Sequence, residues 1–212
     1  ESARGTEFEA MGGLSPEHTT ILPFTRLMGG PMDFTPGILE TDLTKYGRET
    51  DNGVNTTLVK QLAYYVTIYS PLQMAADLPE NYDRIPDAFQ FIKDVAVDWD
   101  ETYVLEAEPG DYVTIARKSK GKNEWFVGGI TDENSRIADI RFEYLPKGKT
   151  FIATIFADGK DANWQSNAKS YTIRKVRVNS TSRLKQQLAP GGGVAISIEE
   201  GSKEEMKGLK KL

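Results

Sequence analysis

The sequence contains no cysteine, so disulfide bonds, thiolate metal sites and cysteine nucleophiles are excluded. Its one histidine, His18, excludes a multi-histidine metal site made by this chain alone. No stretch approaches the ~18 consecutive apolar residues of a membrane-spanning helix. Lys and Arg number 26 against 31 Asp and Glu, which gives a net charge of −5 without a dense basic patch. These absences argue against nucleic acid as a partner and against membrane insertion.

The 212 residues are 39% hydrophobic, which is enough for a packed core in one large or two small domains. Glycine and proline are frequent in the first 50 residues, where they bound short apolar runs at 20–24 and 32–34 that we interpret as buried strands. The first five residues are neither a start methionine nor a signal peptide. We therefore expect a chain that is cut at its N-terminus.

Two helices are predicted between residues 55 and 99, with a short strand or turn at 72–75 between them. The first begins near Asn55, a suitable N-cap, and ends at Ser70-Pro71, whereas the second begins near Pro86. Strand-like runs that alternate with helices predict βα units. Each helix has an apolar stripe at intervals of three and four residues: Leu58, Leu62, Val66 and Tyr69 in the first, and Phe89, Ile92, Ala96 and Trp99 in the second.

From about residue 103 the pattern becomes β-rich. Turn residues separate the strand-like runs, and this spacing predicts an antiparallel β-sandwich. The fold class is therefore α/β plus all-β, with a domain boundary between residues 103 and 104. The predicted strands lie at 112–116, 124–127, 140–144, 151–156, 171–176 and 194–198.

Acidic residues are concentrated near the N-terminus. Glu1, Glu7, Glu9, Glu17 and His18 lie in a glycine-rich stretch ahead of an apolar run. Acidic loop residues are most often solvated. Two neighbouring carboxylates could instead bind a hard cation such as calcium, or act as acid and base if one is kept protonated.

Other polar and aromatic residues leave a structural and a functional interpretation open. Asp33, inside the apolar run at 31–34, and Asp77, after the run at 74–76, lie at predicted strand ends, where a (β/α)₈ barrel has its active site, but a structural cap is the commoner role. Trp125 and Trp164 could stack on a sugar, although packing is the commoner use. The glycines at 191–193 precede a predicted strand and lack a following Lys-Ser/Thr, so we interpret them as a hairpin or strand entry.

Five strings resemble glycoside hydrolase family 97, and within it the calcium-dependent α-glucosidases of starch utilisation. They are ESARGTE at 1–7, HTTILPFTR at 18–26, GPMDFTPG at 30–37, SPLQMAAD at 70–77 and FQFIK at 89–93. The resemblance implies a β-sandwich, a central (β/α)₈ barrel and a C-terminal β-sandwich. A whole barrel takes ~250 residues. Residues 1–103 would then be the last βα units of the barrel, with the stripe of the first helix on its strands, and 104–212 the C-terminal sandwich.

The resemblance also implies functional residues. Glu7 would be the general acid, with a raised pKa that keeps it protonated, and Glu1 and Glu7 would be ligands of a calcium ion. Calcium alone lowers the pKa of a carboxylate, so other interactions must offset it. It implies inverting, calcium-dependent hydrolysis of α-glucosidic bonds in malto-oligosaccharides, in the periplasm. His18 and Asp33 receive no role.

The glutamates that activate water would lie upstream of this chain. The missing upstream part of the same enzyme is therefore an expected partner, and the isolated chain is expected to be inactive. Two alternatives stay open: the retaining α-galactosidase branch of the same family, which uses an upstream aspartate as nucleophile, and a non-catalytic, carbohydrate-binding sandwich.

Overall fold

A computed structural model describes residues 13–47 and 53–212. The candidate residues Glu1, Glu7 and Glu9 lie outside these ranges. The described α-helices are α1 (His18–Ile21), α2 (Leu58–Thr67), α3 (Pro79–Asp83) and α4 (Pro86–Asp94), and 3₁₀ turns span Leu22–Phe24, Arg26–Gly29 and Leu43–Tyr46. The strands are β1 (Trp99–Glu108), β2 (Tyr112–Ser119), β3 (Trp125–Thr131), β4 (Arg136–Arg141), β5 (Phe151–Asp158), β6 (Tyr171–Val178), β7 (Arg183–Leu188) and β8 (Gly193–Glu199).

The predicted strand at 20–24 is wrong, because α1 and a 3₁₀ turn occupy it. The hydroxyls of Thr19 and Thr20 donate to the carbonyls of Pro16 and Glu17 at 2.9 and 2.7 Å, and such short-range bonds favour a helical turn over a sheet ladder. Within the described residues before 99, no strand longer than one bridge residue occurs. The barrel portion therefore stays a prediction.

Both predicted helices occur, with different ends. Thr57 rather than Asn55 is the N-cap of α2, since its hydroxyl accepts from the Lys60 N–H at 3.2 Å. The α4 helix begins at Pro86 as expected, but it ends at Asp94, and Trp99 begins β1. No helix in the described ranges is long and apolar enough to cross a bilayer.

The β-rich region forms the predicted antiparallel sandwich. One sheet has the order β1-β2-β3-β8-β5-β6, and β4 pairs with β7 in a second sheet. In the central ladders Gly128 pairs with Ile115 of β2 and with Ala195 of β8. The glycines at 191–193 lead into β8, as the strand-entry interpretation predicts. The boundary predicted between residues 103 and 104 falls inside β1 and stays a prediction.

The six-stranded sheet carries a core on each face, because successive strand residues point to opposite sides. Helix α2 covers one face and comes so close to β3 that a Cβ on Gly128 would lie 2.6 Å from the Ala63 carbonyl oxygen. We call this the helix-side core; it includes Leu58, Leu62, Val66, Val113, Ile115, Phe126, Ile130 and Phe156. We call the other the inter-sheet core; it includes Trp125, Val127, Ala138, Ile140, Ile155, Leu184, Leu188, Val194 and Ile196.

All ten residues of α2 are buried. From the sequence, its apolar stripe is expected to pack on barrel strands. In the structure, Val66 of the stripe instead lies against Gly128 of the sandwich sheet. The loop-rich segment packs on α2 as well: the rings of Phe34 and Tyr64 make an edge-to-face contact with centroids 5.4 Å apart. Helix α2 is thus the element that joins residues 13–47 to the sandwich.

Candidate functional site at the start of helix α2

The segment that follows Glu7 in the sequence is held at the N-terminal end of α2. The Asn55 side-chain amide donates to the Leu14 carbonyl at 3.1 Å, and Lys60 Nζ donates to the Pro16 carbonyl at 2.8 Å. Glu7 itself lies outside the described residues, as does Glu1. The described ranges hold no group of three or more His, Cys, Asp or Glu side chains suited to a metal ion. The calcium assignment to Glu1 and Glu7 therefore stays a prediction.

Lys60 is the most unusual group at this end of the helix. Its side chain is fully buried, and Nζ also donates to the Thr131 carbonyl at 2.7 Å. Burial lowers the pKa of Lys60 to about 7, against the opposing effect of nearby carboxylates. One ammonium group thus connects the segment after Glu7, helix α2 and the end of β3.

Asp158, the last residue of β5, is the second buried charge. Its carboxylate accepts the Thr57 hydroxyl at 2.7 Å and the backbone N–H groups of Ala189 and Gly193 at 2.9 and 2.8 Å. Burial raises the pKa of Asp158 to about 6, although these hydrogen bonds oppose the shift. The N-cap of α2 is therefore fixed to the sandwich.

Glu40 forms a third link between the two regions. It is buried and forms ion pairs with Lys45, at 2.7 Å, and with Lys169 from the β5–β6 loop. Burial by itself would raise the pKa of Glu40, but the hydrogen bonds from Lys169 and Lys45 lower it below its ordinary value. Because Glu40 is charged and paired with two lysines, we interpret it as a structural residue.

The other residues singled out from the sequence have different surroundings. Asp77 accepts the N–H groups of Leu39 and Glu40, each at 2.7 Å, which favours the structural over the functional interpretation, although Asp77 follows no strand. Asp33 is exposed, and His18 is half-buried at the first turn of α1. Trp125 is 2% exposed in the inter-sheet core, which leaves no face for a sugar.

Sequence reasoning missed Lys60, Asp158 and Glu40. Lys60 lies between the stripe residues of α2 and resembles an ordinary solvated lysine. Asp158 carries the only signal, since it is a carboxylate that ends an apolar run of a predicted strand. The partners of both lie far away in the sequence, so no spacing relates them.

Comparison with known proteins relates the sandwich to one family. Residues 98–199 match the family described as "Glycosyl-hydrolase 97 C-terminal, oligomerisation", and this range coincides with β1 to β8. The sandwich is therefore similar to the C-terminal domain of that family. A "Retaining alpha-galactosidase" of Bacteroides thetaiotaomicron is 35% identical over 185 residues, which are 86% of this chain and 27% of that protein.

Solved structures extend the likeness beyond the sandwich. A family 97 enzyme from Pseudoalteromonas sp. strain K8, solved in complex with acarbose, has a TM-score of 0.88 and 44% identity over 94% of this chain and 31% of its own. A variant of that enzyme in complex with panose gives the same values. A beta-arabinopyranosidase, at 23% identity and a TM-score of 0.70, shares the fold. These comparisons support family 97 for the chain, which spans under a third of its relatives' length.

The finer expectations are not confirmed. The curated relative from Bacteroides thetaiotaomicron is described as retaining and as an α-galactosidase. The predicted α-glucosidase specificity and inversion therefore stay predictions.

Proposed function

We propose that these residues act as the C-terminal part of a family 97 glycoside hydrolase that cleaves α-linked sugars. The observation that carries the proposal is the 44% identity over 94% of the chain to an enzyme solved with acarbose and panose. The relatives of this chain are about three times as long as the chain. This difference supports a catalytic site that also needs residues outside these 212. In this proposal the isolated chain does not turn over a glycoside.

Glu7 is the proposed general acid. Its carboxyl group donates a proton to the glycosidic oxygen as the bond to the anomeric carbon breaks, so it must be protonated in the resting enzyme. Leu14 and Pro16, seven and nine residues after Glu7 in the sequence, accept hydrogen bonds from Asn55 and Lys60 at the start of α2.

Two substrate classes are supported by different relatives. Panose consists of glucose units, and the enzyme solved with it favours the α-glucosidase, with inversion as the family resemblance implies. The Bacteroides relative favours a retaining α-galactosidase. Assays of the full-length enzyme on maltose and melibiose, with NMR detection of the first anomer released, distinguish both specificity and stereochemistry.

The substitution Glu7→Gln in the full-length enzyme tests the acid. We expect kcat on a disaccharide to fall by about 10²–10⁴-fold, because the leaving oxygen then departs without a proton. A dinitrophenyl glycoside, whose leaving group needs no protonation, should retain most of its rate. Glu17→Gln is the matched control on the same segment and should leave both rates unchanged. Equal losses on both substrates would argue against a general acid at residue 7.

Calcium and location are proposals that the resemblance alone supports. We propose that Glu1 and Glu7 contribute ligands to a calcium ion in the full-length enzyme, and that the enzyme is periplasmic. Bound calcium would supply a fixed positive charge beside the carboxylates. Removal with a chelator should lower activity, and added calcium should restore it. Glu1→Gln should raise the calcium concentration needed for half-restoration.

A further inference from the structure

A cleft of about 530 Å³ lies between the loop before α2 and the β5–β6 loop, close to the N-terminal end of α2. Its volume is within the range of small-molecule sites. One wall comes from Thr41–Thr44 together with Gly53–Asn55, and the other from Trp164–Lys169.

Trp164 distinguishes the cleft from an ordinary surface depression. Trp99 packs against the helix-side core and Trp125 lies in the inter-sheet core, but Trp164 belongs to neither. It is half-buried and packs on Gly191, where a Cβ would lie 2.5 Å from its ring. Because Gly191 has no side chain and a φ of +61°, the indole can rest on the backbone and line the cleft.

The wall that carries Trp164 is held by hydrogen bonds within its own loop. Asn163 and Asn167 exchange backbone hydrogen bonds at 3.3 and 2.9 Å, and Gly159 N–H donates to the Ser170 carbonyl at 2.9 Å. Asp161 accepts from the Ser170 hydroxyl at 2.6 Å and from the Asn167 amide at 2.8 Å. A preformed loop loses little conformational freedom when it binds a ligand.

The two walls are fixed relative to each other at their base. The Ala168 carbonyl accepts the Leu58 N–H at 2.8 Å, and the Gly191 carbonyl accepts the Thr57 N–H at 3.0 Å. The ion pair of Glu40 with Lys169 adds a side-chain link. These contacts hold the two walls of the cleft in a defined relative position.

The chemistry of the lining favours a neutral, hydroxyl-rich ligand. Among the lining residues that the structure describes, Asp42 and Lys169 are the charged ones, one of each sign, while hydroxyl and amide side chains come from Thr41, Thr44, Asn55, Gln165, Ser166 and Asn167. These described residues offer a phosphate or carboxylate no excess positive charge. A sugar ring presents C–H groups to the negative face of an indole and hydroxyls to the amides around it.

We propose that this cleft binds sugar units of an oligosaccharide. The inference rests on the proposed function in one respect: α2 is proposed to be a barrel helix, and the loops that precede barrel helices form the active-site face. The cleft would then lie on the side where the substrate enters, and Trp164 would contact sugar units away from the bond that is cleaved.

The test is direct binding to the 212-residue chain, with maltotriose and raffinose as separate probes, measured by calorimetry or NMR. We expect one of them to bind with a Kd of about 1 mM. Trp164→Ala should weaken binding at least about tenfold, and Trp164→Phe should retain most of it. Tyr103→Ala, which removes an aromatic ring that is 42% exposed on β1, is the matched control and should change nothing.

A second variant separates loss of binding from loss of folding. Ser166→Trp fills the cleft without removing Trp164 from Gly191, so it should abolish binding while the thermal unfolding midpoint stays unchanged. No binding of either probe at about 10 mM, or an equal loss in Tyr103→Ala, would overturn the proposal. The binding test does not require catalysis by this chain. If the chain binds a probe sugar but the full-length enzyme hydrolyses no glycoside, only the proposed hydrolysis is contradicted.

Discussion

The two faces of the six-stranded sheet bury different kinds of core. The inter-sheet core is closed by β4 and β7, and its cluster consists of aliphatic and aromatic side chains, with the polar Gln186 buried between Leu184 and Leu188. The helix-side core is closed by α2, where Lys60, Gln61, Tyr64 and Tyr65 are as fully buried as the leucines. Apolar burial therefore dominates one face, whereas the helix that closes the other is also held by several hydrogen bonds of its own buried polar side chains.

The polar residues of α2 explain why a helix with one apolar stripe can be buried on all sides. Gln61 Oε1 accepts the N–H groups of Gly37 and Ile38 at 2.9 and 3.3 Å. Tyr64 donates to the Thr19 hydroxyl at 3.2 Å. Each bond connects α2 to the loop-rich segment, so the segment is positioned by pairing as well as by packing. An unpaired polar group in that position would cost ~1–3 kcal/mol.

The largest expected effect concerns Lys60 and pH. The folded pKa of about 7 lies below the ordinary 10.5, so between these pH values the unfolded chain binds more protons than the folded chain. The free energy of unfolding should therefore rise with pH across this window, by on the order of 5 kcal/mol, and the cost of the buried charge is fully present below pH about 7. Denaturant titrations of the wild type and Lys60→Met between about pH 6 and 10 should show this rise only in the wild type.

Lys45→Met is the matched control for that experiment. The hydrogen bond to Glu40 raises the pKa of Lys45 above its ordinary value of 10.5. The stabilisation that Lys45 contributes is therefore lost only above pH 10.5, so Lys45 cannot cause the free energy of unfolding to rise through neutral pH. Asp158, with its pKa raised to about 6, acts in the opposite direction between about pH 4 and 6 and does not overlap. A wild-type curve parallel to that of Lys60→Met would contradict a neutralised lysine in the helix-side core.

Leu62→Ala tests the apolar part of the same core. Leu62 is fully buried in the helix-side core, so the lost contacts and the resulting cavity should lower the free energy of unfolding by about 2–5 kcal/mol. Leu72→Ala, at a side chain that is 63% exposed, should change it by less than ~0.5 kcal/mol. Equilibrium denaturation of both variants checks the difference. A loss below ~0.5 kcal/mol for Leu62→Ala would refute the burial.

Gly128→Ala tests how closely α2 approaches the sheet. The new Cβ would lie 2.6 Å from the Ala63 carbonyl oxygen and 2.8 Å from Val66 Cβ, so helix and strand must separate. We expect a loss of about 1–3 kcal/mol in the free energy of unfolding. Gly29→Ala, where no atom lies within 4 Å, is the control and should be close to neutral. Equal effects in both variants would mean that the helix shifts at no cost.

The two cores also differ in how far they could be predicted. Strands such as β3 and β5 were recognised from their β-rich apolar composition, which placed most of the sandwich. Strand β7 alternates just as strictly, with Leu184, Gln186 and Leu188 buried, but it has only two apolar residues, which is too few to predict a strand from composition. On the helix side, Lys60 and Thr131 are 71 residues apart, and nothing in the local sequence relates them. Prediction failed where long-range hydrogen bonds, rather than local patterns, determine burial.

The smallest expected effects on stability come from removing one tyrosine hydroxyl in each core. Tyr65 donates to the carbonyls of Pro36 and Met74 at 3.1 and 2.7 Å, and the Pro36 carbonyl also accepts the Ala76 N–H at 3.1 Å. Tyr65→Phe should cost ~1–3 kcal/mol, because the partly buried Met74 carbonyl loses this donor. The Tyr144 hydroxyl beside Trp125 is buried without a hydrogen-bond partner. Tyr144→Phe should therefore leave the free energy of unfolding unchanged or raise it by up to ~1 kcal/mol. A loss in Tyr144→Phe as large as that in Tyr65→Phe would show that the inter-sheet core depends on polar pairing just as the helix-side core does.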